Sequence, residues 1–191
     1  MTGVKGQALN FSIPAQYTAI RDTPSLRLAS ALTLAAWIAP AQVATQRILA
    51  KAWMNNTNGY ELSLAGTGKV FFRLNQNNGT GGYRIDSNTP YPGTGTTWMH
   101  AAATYDGDSL RLYINGVREA AGKMGVPIGT TTDSLYIGRQ KDGQYSYLGR
   151  MDEARLYNRA LTLSEIQALA SHTITATAGP NGSISPGGPV A

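Results

Sequence analysis

The stretch WMHAAATYDGDSLRLYINGVREA, residues 98–120, contains a histidine and two aspartates, which are residue types of acid–base catalysis and of metal binding. A catalytic His100 would need a nucleophile or a substrate proton within reach and a third group to orient it, and the sequence offers no recognisable arrangement of that kind. Asp106 and Asp108 flank Gly107, and Asp-Gly is favoured in hairpin turns for backbone reasons alone. We therefore expect His100 to lie in a scaffold strand and the two acids to lie in a turn.

The glutamates do not form the pair of carboxylates that glycoside hydrolysis usually requires across one cleft. They are Glu61, Glu119, Glu153 and Glu165. Glu165 stands at the spacing from Thr162 that makes a helix capping box. Glu153 is the neighbour of Asp152, so the two side chains would point to opposite faces of a strand. The sequence therefore predicts no catalytic residues and a protein that is not an enzyme.

Three polar loops combine aromatic rings with amides, arginines and carboxylates, the mixture that binds sugars by ring packing and by hydrogen bonds to hydroxyls. The loops are KAWMNNTNGY, RLNQNNGTGGYRIDSN and GRQKDGQYSYLGR. Their candidate ligand-binding residues are Trp53, Asn55, Arg73, Asn75, Tyr83, Arg84, Asp142, Tyr145 and Tyr147. The alternative is that these loops are only turns and that Trp53 fills a core.

The elements that must position these loops are short strands with a period of two. In LTLAAWI, Leu34, Ala36 and Ile38 share one face. GYELSLAGTGKVFFRL predicts a hairpin in which Glu61 and Ser63 face away from the apolar side chains. The capping box before IQALA predicts one short C-terminal helix. Together these patterns predict an all-β fold, a two-sheet antiparallel β-sandwich with one short C-terminal helix.

Composition limits the partners. The absence of cysteine excludes disulfides and thiolate metal sites, and no apolar stretch is long enough for a membrane span. Lysine and arginine number 16 against 11 acidic residues, for a net charge of +5, but they are scattered singly. Because phosphate binding needs clustered positive charge, we expect no nucleic-acid partner. The mild basic excess would suit a negatively charged glycan without requiring one.

A change of composition after Ser171 suggests a domain boundary. HTITATAGPNGSISPGGPVA is rich in threonine, glycine, serine and proline. We therefore predict one domain over residues 1–171, followed at 172–191 by a linker and the truncated start of another module. The start MTGVKGQALNF has no apolar segment of the kind found in signal peptides.

Several quoted segments together resemble a known family. LTLAAWIAP, WMHAAATYDGDSLRLYINGVREA, LYIGRQ and GRMDEARLYNRALTLSEIQAL are similar, in this order, to laminin-G-like, concanavalin A-like jelly-roll domains of bacterial extracellular proteins. The resemblance covers roughly residues 3–171. It implies two curved antiparallel sheets and a domain that binds carbohydrate or protein ligands or accompanies an enzyme. The Glu-x-Asp-x-x-Glu motif typical of jelly-roll glucanases is missing here.

The resemblance also implies a possible cofactor, a calcium ion at Asp152. In similar domains the acid that opens the Asp-Glu-x-Arg-x-Tyr block often ties the last strand to the N-terminal segment through such an ion. This sequence departs from the pattern near its start, because Phe11 is followed by Ser12 and Ile13 rather than by Asp-Gly. The alternative is that Asp152 pairs with Arg150 or Arg155, or accepts hydrogen bonds from backbone amides.

The function predicted from the sequence is a non-catalytic carbohydrate-binding, lectin-like module of a secreted or surface bacterial multidomain protein. Its partner would be a glycan or polysaccharide, beside neighbouring domains of a larger chain. The alternative is a protein-binding or adhesin spacer domain without a sugar site, whose partner would be a surface protein.

Overall fold

Alternating segments of the chain pair into two six-stranded antiparallel sheets in the computed structural model, which describes residues 2–77, 82–171, 174–176 and 188–190. Strands are numbered in chain order. The first sheet contains, in spatial order, β1 (Leu9–Phe11), β12 (Gly149–Tyr157), β3 (Leu32–Pro40), β8 (Met99–Tyr105), β9 (Ser109–Ile114) and β10 (Val117–Lys123). The second contains β2 (Thr18–Ile20), β11 (Leu135–Ile137), β4 (Gln46–Trp53), β5 (Thr57–Leu64), β6 (Lys69–Leu74) and β7 (Tyr83–Pro90). A 3-10 turn, Pro24–Leu26, connects β2 to β3.

The main core lies between the two sheets and takes side chains from strands of both. Leu34 and Ile38 of β3 are fully buried there. In the hairpin of β5 and β6, Leu62 stands opposite Phe72, and both side chains are fully buried in the same core. Burying alternate side chains of both sheets is what holds a β-sandwich together. The predicted all-β sandwich and the predicted faces of β3 and of this hairpin are confirmed.

The outer face of the first sheet is covered by the helix α1 (Leu163–Ala170). Ile166 is fully buried in a small second core with Ala35, Ala102 and Tyr113. The Thr162 hydroxyl accepts the amide hydrogen of Glu165, and the Glu165 carboxylate accepts that of Thr162, so the predicted capping box is present. The predicted C-terminal helix is therefore confirmed, and its apolar side occupies this face.

Two further strands, β13 (Ile174–Ala176) and β14 (Gly188–Val190), pair in a separate two-stranded sheet. They lie in the 172–191 stretch for which the sequence predicted a linker and the start of another module. The other residues of that stretch lie outside the described ones, and the boundary after residue 171 stays a prediction. Among the described residues, no helix has the length and apolar character needed to cross a membrane.

Thr162→Ala should lower the free energy of unfolding by about 1 kcal/mol, because it removes the side-chain acceptor at the start of α1. Urea unfolding followed by circular dichroism measures this change. Gln167→Ala, at an exposed position of the same helix, is the matched control and should cost little. Equal stabilities of the two variants would show that the capping box does not hold α1 on the sheet.

Candidate functional site

The outer face of the second sheet carries a group of charged and aromatic side chains. Glu61 and Ser63 alternate along β5 with core residues, and cross-strand pairs extend the same face. Arg47 lies opposite Ser63, and Arg73 lies between Glu61 and Arg84. We call this set the arginine face; its members are Arg47, Glu61, Ser63, Phe71, Arg73, Arg84 and Tyr145, the last packing on Arg47.

Glu61 forms ion pairs with two arginines at once. Its Oε1 accepts a hydrogen bond from Arg73 Nε at 2.7 Å, and its Oε2 lies 3.1 Å from Arg47 Nε. The side chains of Glu61 and Arg47 are each 1% exposed. Removing charges from water is expensive, so a buried charge requires a partner of opposite sign. One carboxylate therefore compensates two guanidinium groups on this sheet.

Phe71 lies at the centre of three guanidinium groups. The carbon atoms Cζ of Arg47, Arg73 and Arg84 lie 5.7, 5.5 and 3.9 Å from the centroid of its ring. Guanidinium groups are attracted to the face of an aromatic ring within about 6 Å. The Phe71 ring therefore helps to hold like charges that would otherwise repel one another.

Tyr145 packs on Arg47 from the loop between β11 and β12. The Arg47 Cζ atom lies 4.4 Å from the centroid of the tyrosine ring. Tyr145 has a φ of +57°, in the left-handed region that few residues other than glycine adopt. Its backbone carbonyl accepts the amide hydrogen of Arg47 at 2.9 Å, which fixes the loop against β4. A partly exposed aromatic ring is thereby held over a buried cation.

Five polar atoms of this face are buried without a hydrogen-bond partner among the described residues. Three of them, Arg47 Nε, Glu61 Oε2 and Arg73 Nη2, belong to the ion pairs of Glu61. The other two are Arg47 Nη1 and Ser63 Oγ, which belong to residues directly opposite each other on β4 and β5. Burial lowers the pKa of the Arg47 guanidinium; Glu61 opposes this effect and Arg73 adds to it. Buried donors are normally satisfied by protein, water or ligand, so this pair of atoms has unused hydrogen-bonding capacity.

A chain of hydrogen bonds joins Trp53 to the arginine face. Trp53 Nε1 donates to Asp142 Oδ2 at 3.2 Å, and Gln140 Nε2 donates to the same carboxylate at 3.2 Å. Gln140 Oε1 in turn accepts from Arg47 Nη2 at 3.2 Å. Of the residues predicted to bind a ligand, the structure thus joins Trp53, Arg73, Arg84, Asp142 and Tyr145 in one continuous set of contacts.

The other predicted residues lie elsewhere. The Asn75 side chain is buried, donating to the Pro127 carbonyl and accepting the Gly129 amide hydrogen, so it holds a loop in place. Tyr83 packs against the main core. Tyr147 is fully buried in that core and its hydroxyl donates to the Arg150 carbonyl, so it offers no surface to a ligand. Asn55 lies exposed in the turn between β4 and β5.

Arg47 and Phe71 were not among the predicted residues. The alternation of β6 could have indicated Phe71, because it lies between Val70 and Phe72, whose side chains enter the core. Arg47 lies in a strand whose register shifts between Arg47 and Leu49, so a strict period of two could not have indicated its face.

His100 and the Asp106 turn have the structural environments expected of a scaffold. His100 is 1% exposed in β8, with its ring centroid 5.2 Å from that of Trp37. Asp106 Oδ1 accepts the amide hydrogens of Asp108 and Ser109, which is the geometry of an aspartate turn. The predicted turn at this position is confirmed.

Asp152 ties the last long strand to the N-terminal segment directly. Its Oδ2 accepts the Lys5 amide hydrogen at 2.8 Å and its Oδ1 accepts that of Glu153 at 2.8 Å. Calcium takes about six to eight oxygen ligands, and the described residues contain no group of three or more acidic, histidine or cysteine side chains suited to a metal ion. These contacts fit the alternative in which Asp152 accepts backbone amide hydrogens, and calcium at Asp152 stays a prediction.

The chain belongs to the concanavalin A-like lectin/glucanases superfamily, whose family model matches residues 14–167. This confirms the resemblance found in the sequence. A search of the curated proteins finds no match.

Solved structures share the fold at low sequence identity. The binding domain of Paraclostridial Mosquitocidal Protein 1 has a TM-score of 0.66 and 17% identity over 86% of this chain and 45% of that one, so this chain spans less than half of its length. Domain 4 of AbnA, a GH43 extracellular arabinanase from Geobacillus stearothermophilus, in complex with arabinotriose, has a TM-score of 0.67 and 22% identity. The match covers 88% of this chain and 79% of that domain. The Ruminococcus gnavus IT-sialidase CBM40 bound to α2,3-sialyllactose has a TM-score of 0.63 and 17% identity. The match covers 86% of this chain and 97% of that one.

Glu61→Gln should lower the free energy of unfolding by about 3–5 kcal/mol, because it leaves two buried guanidinium groups without a counter-charge. Asp86→Asn, which breaks the exposed pair with Arg84, is the matched control and should cost less than about 1 kcal/mol. Chemical unfolding of both variants measures the difference. A Glu61→Gln variant as stable as the control would show that the ion pairs do not hold this face together.

Asp152→Ala should lower the free energy of unfolding by about 1–3 kcal/mol, because it removes the acceptor of two backbone amides. The melting temperature measured in calcium and in EDTA separately tests the predicted ion. Calcium bound at Asp152 would raise the melting temperature of the wild type and not that of Asp152→Asn. Equal melting temperatures of the wild type in calcium and EDTA would reject calcium and leave the amide contacts as the role of Asp152.

Proposed function

We propose that this protein is a non-catalytic carbohydrate-binding module whose sugar ligand packs on Tyr145 and hydrogen-bonds to the arginine face. The observation that carries the proposal is the stack of the partly exposed Tyr145 ring on Arg47, beside Arg47 Nη1 and Ser63 Oγ, two buried polar atoms for which the described part of the chain supplies no hydrogen-bond partner. An aromatic ring next to polar hydrogen-bonding groups is the usual combination of a sugar site. Trp53 and Asp142 extend this surface through Gln140.

The fold relatives support a role in carbohydrate binding. The arabinanase domain is in complex with arabinotriose and the CBM40 domain with sialyllactose, and both have the same sandwich as this chain. Each belongs to an enzyme as an additional domain. By analogy, this chain is one module of a secreted or cell-surface protein and brings neighbouring domains to a glycan.

The pairing of the carboxylates on this face supports the absence of catalysis. Glu61 is held by Arg47 and Arg73, and Asp86 is paired with Arg84. A glycosidase needs one carboxyl group to protonate the leaving group and another to act as nucleophile or base. Both carboxylates of this face are engaged by guanidinium groups and serve to hold arginines in position.

Tyr145→Asn should weaken glycan binding by about tenfold or more, because it removes the ring that packs on the sugar. Asparagine tolerates the left-handed backbone of this position, so the loop keeps its conformation. A glycan array finds the ligand of the wild type, and calorimetry with that ligand compares the variants. Leu163→Ala removes apolar surface at an exposed position of α1, outside the arginine face, and serves as the control.

Two results would contradict the proposal. Equal binding by Tyr145→Asn and Leu163→Ala would remove Tyr145 from the sugar site. A folded wild-type protein that binds no glycan on the array would reject the carbohydrate-binding function and favour the protein-binding or adhesin spacer alternative.

A further inference from the structure

We propose that the arginine face selects glycans that carry an oxyanion, a carboxylate or a sulfate group, with Arg47, Ser63 and Arg84 as its donors. This inference rests on the proposed function and names the class of sugar that the same site takes. The net charge of the whole chain does not support this selectivity, because the basic residues are scattered along the sequence. Three features of this one face carry it.

The first feature is the local excess of positive charge. Arg47, Arg73 and Arg84 surround one ring, and the carboxylates in contact with them are Glu61 and Asp86. Arg73 and Arg84 also stand directly opposite each other on β6 and β7, where like charges destabilise the strand pair. A bound anion would relieve this repulsion, whereas a neutral sugar would not.

The second feature is the chemistry of the unused donors. Arg47 Nη1 and Ser63 Oγ are buried, lie on opposed residues and lack hydrogen-bond partners among the described residues. A carboxylate or sulfate has several acceptor oxygens and can accept from both groups at once. A charge-assisted hydrogen bond is about twice as strong as a neutral one, so the gain is largest for an ionised ligand.

The third feature is an exposed guanidinium group beside the buried donors. The side chain of Arg84 is 37% exposed, and Arg84, Arg73 and Glu61 stand in one row across β7, β6 and β5. The Tyr145 side chain is held by its stacking on Arg47, and no hydrogen bond from its hydroxyl is found among the described residues. A rotation of that ring about its side-chain bonds would open Arg47 to the oxyanion of the ligand and keep the ring available to pack on the sugar.

Calorimetry with matched sugars tests the selectivity. The pairs are α2,3-sialyllactose against lactose, and sulfated lactose against lactose, which separate a carboxylate from a sulfate as the preferred anion. We expect the preferred charged sugar to bind at least about tenfold more tightly than lactose, and this advantage to shrink at high salt. Equal affinity for charged and neutral sugars would overturn the inference and leave the proposed function standing; no binding of any glycan would reject both.

Single substitutions test whether the charged group of the sugar binds on the arginine face. Ser63→Ala removes a hydroxyl that has no hydrogen-bond partner within the described ranges and so should keep the fold, and Arg84→Gln removes the exposed guanidinium. Each should reduce the preference for the charged sugar over lactose about fivefold or more, because a lost donor weakens the hydrogen bonds to an ionised ligand more than those to a neutral sugar. Arg118→Gln, on the exposed surface of β10 in the other sheet, removes the same charge and serves as the control. A preference lowered equally by Arg118→Gln, or by neither of the other two variants, would overturn the assignment to this face.

Discussion

The buried carboxylate of Glu61, shared by Arg47 and Arg73, is the interaction on which the chemistry of the second sheet depends. A strand residue that faces outward is normally solvated, yet these three are almost fully buried. Buried charges persist only when each has a partner, and a single acid here satisfies two cations incompletely. The remaining hydrogen-bonding capacity of Arg47 and Ser63 follows from this arrangement, and so does the need for Tyr145 to cover it.

The two outer faces of the sandwich are shielded from solvent in different ways. The first sheet covers its face with α1, whose Ile166 packs on small residues such as Ala35 and Ala102. That covering is apolar, and a capping box stabilises the start of the helix. The second sheet is covered by side chains of its own strands and by the loop that contains Gln140 and Tyr145. A face closed by side chains and a loop can exchange those contacts for a ligand, which a docked helix cannot do without unfolding.

Much of the fold could be predicted from the sequence because the physical signals are local. Alternation in the hairpin of β5 and β6 gives the buried faces, and the spacing of Thr162 and Glu165 gives the helix.

The site could be predicted only in part. Tyr145 and Tyr147 are two residues apart in one loop, and only the folded structure shows that one ring packs on Arg47 while the other is buried in the core. In the sequence, Asn75 was a candidate ligand-binding residue. Its side chain instead hydrogen-bonds to the backbone of residues 127 and 129, a contact that local sequence could not indicate because the partners are distant along the chain. The face on which Arg47 lies could not be predicted, because the register of β4 shifts between Arg47 and Leu49.

The most direct test of the central claim is an NMR titration of the whole chain with an oligosaccharide that carries a carboxylate, such as α2,3-sialyllactose. Binding on the arginine face should produce its largest shifts at the amides of Ser63, Arg84 and Tyr145, with smaller shifts near Trp53. Shifts centred instead on the groove beside α1, lined by Trp98, Gly116 and Gln167, would place the ligand on the first sheet and contradict the claim.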